Sequence, residues 1–93
     1  MNSKWLFRNG ATTIECTSFP YAFRVMHNTI RRGVEKDGKK REDLTKRMSI
    51  VSPIKNRMGD TKVYSYAEAM EMAKNNGLMS ADGQLNSREF RRT

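Results

Sequence analysis

Cys16 is the only cysteine and His27 the only histidine, so the chain has no partner for an intramolecular disulfide and no zinc set built from these residue types. A lone thiol suits a reducing, intracellular setting. No apolar run approaches the roughly 18 residues a membrane helix needs, and the start of the chain lacks the apolar stretch of a secretory signal. The expectation is a cytoplasmic protein, or a nuclear one if the source has a nucleus, that does not engage a membrane. Catalytic signatures are scarce as well. The chain has no Gly-rich phosphate loop, no Gly-x-Ser-x-Gly and no acidic cluster suited to magnesium, and nothing supplies a third group to orient a Cys16 and His27 pair. His27 borders an apolar stripe, where a boundary histidine is the commoner case. No catalytic residue, metal ligand or cofactor is assigned, and an enzyme is not expected.

Acidic residues are scarce in one particular stretch. Between Arg24 and Arg57 stand eleven of the eighteen Lys and Arg residues, namely Arg24, Arg31, Arg32, Lys36, Lys39, Lys40, Arg41, Lys46, Arg47, Lys55 and Arg57. Only Glu35, Asp37, Glu42 and Asp43 oppose them, which leaves a local charge of +7 out of a net +8. A field of one sign on about a third of a small protein points to a polyanion, because such a patch releases counterions from nucleic acid on binding. The bland alternative is a solvated charged face. Unevenness of sign, rather than charge as such, favours the functional reading.

With 93 residues there is room for one domain and one modest core. Apolar residues make up 37%, well above disordered compositions, so a folded chain is expected. Asn9-Gly10 between two alternating segments predicts a hairpin over residues 4–16 that pairs Arg8 with Ala11 and Trp5 with Ile14. That register places Trp5, Phe7, Ile14 and Cys16 on one face. Ser18 is the expected N-cap of a long helix, with Pro20 tolerated in its first turn. Phe19, Ala22, Phe23, Met26, Ile30 and Val34 recur at helical spacing as its buried stripe, and Arg24, Asn28, Arg31 and Glu35 take the other face. Lys36 to Lys40 reads as a solvated loop, followed by a short helical turn over 42–47. A basic strip along Arg24 and Arg31 and on to Lys39–Arg41 would grip phosphates without reading bases. Residues 48–52 and 62–65 read as two further strands, with Pro53 marking a strand end. Ser65 and Glu68 have capping-box spacing for a helix from Tyr66 to about Asn75, ended by Gly77, that buries Ala69, Met70 and Ala73.

Aromatic residues beside basic ones can stack on bases, which makes Trp5, Phe7, Tyr21, Tyr64 and Tyr66 candidates, Tyr64 and Tyr66 foremost. The core competes for them, since the chain has only eight aromatics. Asp82 to Phe90 resembles the closing half of an EF-hand calcium loop. Counting back from Glu89 as the twelfth position, however, puts Leu78 at the first ligand and Ser80 at the third, so calcium is not expected. The same region, with Arg88, Arg91 and Arg92 on a short last helix capped by Asn86 and Glu89, also has the order of a helix-turn-helix. Its connection of about eight residues exceeds the usual three or four, and a helix pair closing the core is the simpler reading.

The expected fold is therefore α+β: a small antiparallel sheet, made of the N-terminal hairpin and two further strands, packed by one long amphipathic helix and one or two short C-terminal helices. The expected function is that of a small nucleic-acid-associated accessory protein, holding DNA or RNA through phosphate contacts from residues 24–57. The alternative is an assembly factor that sets the same charge against an acidic protein surface, with seven Met residues supplying adaptable contact area. The chain has the look of a small accessory protein from a virus or a compact genome, an impression that no residue pattern carries. The oligomeric state is left open.

Overall fold

The computed structural model describes residues 4–55 and 57–79. In chain order the elements are β1 (Trp5–Asn9), β2 (Thr12–Cys16), α1 (Phe19–Glu35), α2 (Arg41–Thr45), β3 (Met48–Lys55), β4 (Thr61–Ser65) and α3 (Tyr66–Asn75). The strands form one sheet in the order β2-β1-β3-β4, and every neighbouring pair is antiparallel. The α+β architecture expected from the sequence is the one observed.

The hairpin forms, but its register is offset by two residues from the expected one. Asn9 pairs with Thr12, Phe7 with Ile14 and Trp5 with Cys16, so the turn is Gly10-Ala11. Only Gly10 has positive φ, at 62°, as the first central position of a II′ turn requires. A turn centred on Asn9-Gly10 would need Asn9 in the left-handed region as well, which costs a residue with a Cβ more. An offset of two preserves the alternation, so Phe7 and Cys16 still point into the core and are almost fully buried. Ile14, expected beside them, is 38% exposed because β2 is an edge strand.

Ser18 caps α1 by accepting a hydrogen bond from the Tyr21 N–H at 3.3 Å. Phe19, Ala22, Phe23, Met26 and Ile30 form its buried stripe as expected, but the stripe ends on Gly33 rather than Val34, which is exposed. The cause is α2: a Cβ on Gly33 would lie 2.7 Å from Leu44 Cδ1, so the missing side chain lets α2 close against the end of α1.

Pro53 does not end its strand, which runs on to Lys55. Val51 pairs with Val63 and Lys55 with Thr61, four steps on β3 against two on β4, and this irregularity absorbs a residue with no N–H to offer. Ser52 Oγ accepts from the Ile54 N–H at 3.0 Å across the same bend. The capping box at α3 is complete, with Ser65 Oγ accepting from the Glu68 N–H at 3.3 Å and Glu68 Oε1 accepting from the Ser65 N–H at 3.1 Å. The helix ends in a Schellman motif, the Leu78 N–H donating to the Ala73 carbonyl at 2.8 Å and the Gly77 N–H to that of Lys74 at 3.2 Å.

One core joins these elements. Phe7 and Ile50 from the sheet meet Phe23, Met26 and Ile30 from α1, Ala69 and Ala73 from α3, and then Leu78 and Met79. Each fully buried large side chain contributes about 1.5–3 kcal/mol relative to exposure. The Asn86 and Glu89 pattern, the calcium-loop-like segment and the arginines of the expected last helix lie outside the described residues.

Candidate nucleic-acid interface

Strand direction divides ten of the eleven basic residues between two ends of the sheet. Asn9 lies opposite Met48, so the hairpin turn, the end of α1 and the start of β3 share one end. Arg31, Arg32, Lys36, Lys39, Lys40, Arg41, Lys46 and Arg47 belong to it. Lys55 and Arg57 lie at the other, because β3 rises about 23 Å from Met48 to Lys55. Those eight cations and the carboxylates Glu35, Asp37, Glu42 and Asp43 leave an excess of four positive charges within residues 31–47.

Two backbone hydrogen bonds build that end. The Gly10 N–H donates to the Arg47 carbonyl at 3.1 Å, and the Lys39 N–H donates to the Gly33 carbonyl at 3.0 Å. Between the segments so tied lies an open cleft of about 640 Å³, walled by Asn9, Gly10, Ala11, Lys39, Lys40 and Arg47 and floored by Leu44. Asp43 also lines it and forms an exposed ion pair with Lys46 at 3.8 Å. All three cleft cations are exposed. The cations and the Asn9-Gly10 hairpin were both legible in the sequence, but not that the fold sets the turn beside Lys39, Lys40 and Arg47.

The strip along α1 divides. The Arg31 and Arg41 charges both act on His27, and the Arg41 guanidinium donates to the Tyr66 hydroxyl at 3.0 Å. Arg24, half-buried, shares with Arg32 a separate groove beside β2. His27 is held below its ordinary pKa of 6.5, first by burial and then by the Arg41 and Arg31 charges, so at neutral pH it carries no charge. Burial pushes the Cys16 thiol up, partly offset by the Phe7 backbone, which makes it a poor nucleophile.

The aromatic candidates are largely engaged within the fold. Trp5 meets Phe19 edge-on at 5.5 Å and stacks on Tyr64 at 6.3 Å, while Lys62 Nζ lies 5.5 Å from the centre of the Tyr64 ring. Phe7 is buried and Tyr66 holds Arg41. Among the described residues no group of three His, Cys, Asp or Glu side chains is placed to hold a metal ion, and no helix is long and apolar enough to cross a membrane. No family model matches the chain, and neither a curated protein nor a solved structure matches it significantly.

Proposed function

We propose that this protein is a non-catalytic accessory factor that holds DNA or RNA by its phosphate backbone, with the cleft end of the molecule as the contact surface. The observation that carries this reading is the convergence of Lys39, Lys40 and Arg47 around a cleft built from the hairpin turn, the loop after α1 and the entry to β3. Cations on exposed stems, gathered from the loop after α1 and the entry to β3 and faced by the hairpin turn, neutralise successive phosphates without reading bases. The preorganisation is supplied by the backbone bonds behind them, so little ordering entropy is left for binding to overcome.

Titration of labelled duplex DNA, single-stranded DNA and RNA at several salt concentrations tests the reading. Each of Lys39→Gln, Lys40→Gln and Arg47→Gln is expected to weaken binding to all sequences alike and to flatten the log-log salt slope by about one on duplex, rather less on single strands. Lys55→Gln with Arg57→Gln, at the far end, is expected to leave that slope nearly unchanged, and so is replacement of Arg88, Arg91 and Arg92. Absence of binding at about 50 mM salt, or dominance by either of those control groups, would overturn the proposal.

A further inference from the structure

The second basic feature of the molecule has a different shape. Beside β2 runs a groove of about 470 Å³ whose apolar wall is Ile14, Tyr21 and Val25 and whose charged lining is Arg24 and Arg32, with no carboxylate among its walls. β2 has β1 on one side and no described strand on the other, and four of its five residues are exposed. Its backbone is placed to pair again. The two-residue turn makes Asn9 and Thr12 a hydrogen-bonded pair, and the alternation that follows points the N–H and C=O groups of Thr13 and Glu15 away from β1.

We infer that this edge docks an extended acidic segment of a protein partner, added to the sheet as a strand beside β2. Main-chain bonds to Thr13 and Glu15 give such a segment its register, and alternate side chains enter the groove. Spacing then specifies its sequence. Arg24 and Arg32 are eight residues apart on α1, a rise of about 12 Å. Positions i and i+4 of a strand are about 13 Å apart and share a face. An acidic residue at each meets one arginine, and an apolar residue at i+2 falls between them on Ile14, Tyr21 and Val25. The segment is thus acidic-x-apolar-x-acidic. A second copy of this chain is a poorer occupant, because edge-to-edge pairing on β2 brings the same arginines together in molecules that each carry +8. Nucleic acid carries the charge to approach the arginines but offers no strand backbone to Thr13 and Glu15. The inference does not rest on the proposed function, whose cleft is lined by Lys39, Lys40 and Arg47, none of which lines this groove.

A fluorescein-labelled, terminally blocked peptide, Thr-Glu-Thr-Val-Thr-Glu-Thr, tests it by fluorescence anisotropy against the full chain. Saturable binding is expected, stronger than that of the same peptide with Lys in place of both Glu residues. Arg24→Glu with Arg32→Glu is expected to weaken binding of the Glu peptide by about tenfold and to reverse the preference in favour of the Lys peptide. Methylation of the peptide's alternate backbone nitrogens is expected to abolish binding to the wild-type protein, a control that does not depend on how a variant folds. The inference is overturned if the Glu and Lys peptides bind alike, if neither binds, or if backbone methylation has no effect. It is equally overturned if the double variant loses oligonucleotide binding as far as the Lys39, Lys40 and Arg47 variants do while peptide binding is unchanged, which would assign the groove to nucleic acid.

Discussion

Two apolar residues of the hairpin and helix illustrate how unequal single positions are. Phe23 is buried to 1% at the centre of the α1 stripe, stacked 6.0 Å from Phe19. Phe23→Ala is expected to cost about 3–5 kcal/mol in urea denaturation, through lost transfer energy and the cavity left behind. Ile14→Thr, at an edge position 38% exposed, is expected to change stability by no more than about 0.5 kcal/mol. His27 carries the one histidine titration. Its folded pKa lies below 6.5, so its contribution to stability is fully present above that value and is lost as pH falls from there through the depressed folded pKa, where the unfolded chain binds the proton first. Imidazole chemical shifts against pH read the folded value directly. Polyanion bound beside Arg31 and Arg41 is expected to raise it by offsetting their charge.

At the scale of elements, capping and close approach decide where helices begin and meet. Ser65→Ala removes the hydroxyl that accepts from Glu68 and is expected to destabilise the protein by about 1 kcal/mol. The Ser65 backbone and hydroxyl also hold the Glu68 carboxyl below its ordinary value, so the carboxylate's own contribution is present above the usual carboxylate range and fades as pH falls through the lowered pKa. Ser65→Ala keeps the Ser65 N–H and loses a cap bond that does not titrate, so the gap between the two thermal melts is expected to narrow in acid without closing. Gly33→Ala sets two effects against each other. Alanine gains about 1 kcal/mol of helix propensity, while its methyl must displace the tip of Leu44, a rotamer change costing about 0.5–1.5 kcal/mol. The melting temperature is expected to move by only a few degrees, whereas Gly33→Leu, with no room beneath α2, is expected to melt well below wild type.

For the molecule as a whole, charge acts oppositely on folding and on binding. A net charge of +8 on a small chain, with an excess of four within residues 31–47, repels itself. The ion pairs Lys4–Glu15, Lys46–Asp43 and Lys62–Glu68 are all at least half exposed and contribute little. Raising salt from about 10 to 150 mM, which shortens the screening length from about 30 to 8 Å, is expected to raise stability while weakening nucleic-acid binding. Parallel melts and binding titrations across that range check both signs. A fall in stability with salt would mean that attractive pairs outweigh the repulsion.

Local chemistry was legible in the residues themselves. The Ser65 and Glu68 capping box, the Ser18 cap and the stripe from Phe19 to Ile30 follow from spacing alone, because a helix brings i+3 and i+4 neighbours together whatever surrounds it. The faces of the hairpin strands were equally legible, since a strand alternates sides even when its register moves by two. Tertiary structure decided the rest. Only the sheet order could show that Ile14 lies at an edge, and only the docking of α2 on Gly33 could turn Val34 outward. Pro53 stays within a strand because β3 bulges against β4 at an irregularity that no local pattern encodes. The basic run from Arg24 to Arg57, continuous in sequence, is divided by the direction of β3, which carries Arg47 to the cleft end and Lys55 to the other. Charge is a property of composition, but a binding surface depends on which residues a chain reversal brings within reach of one another.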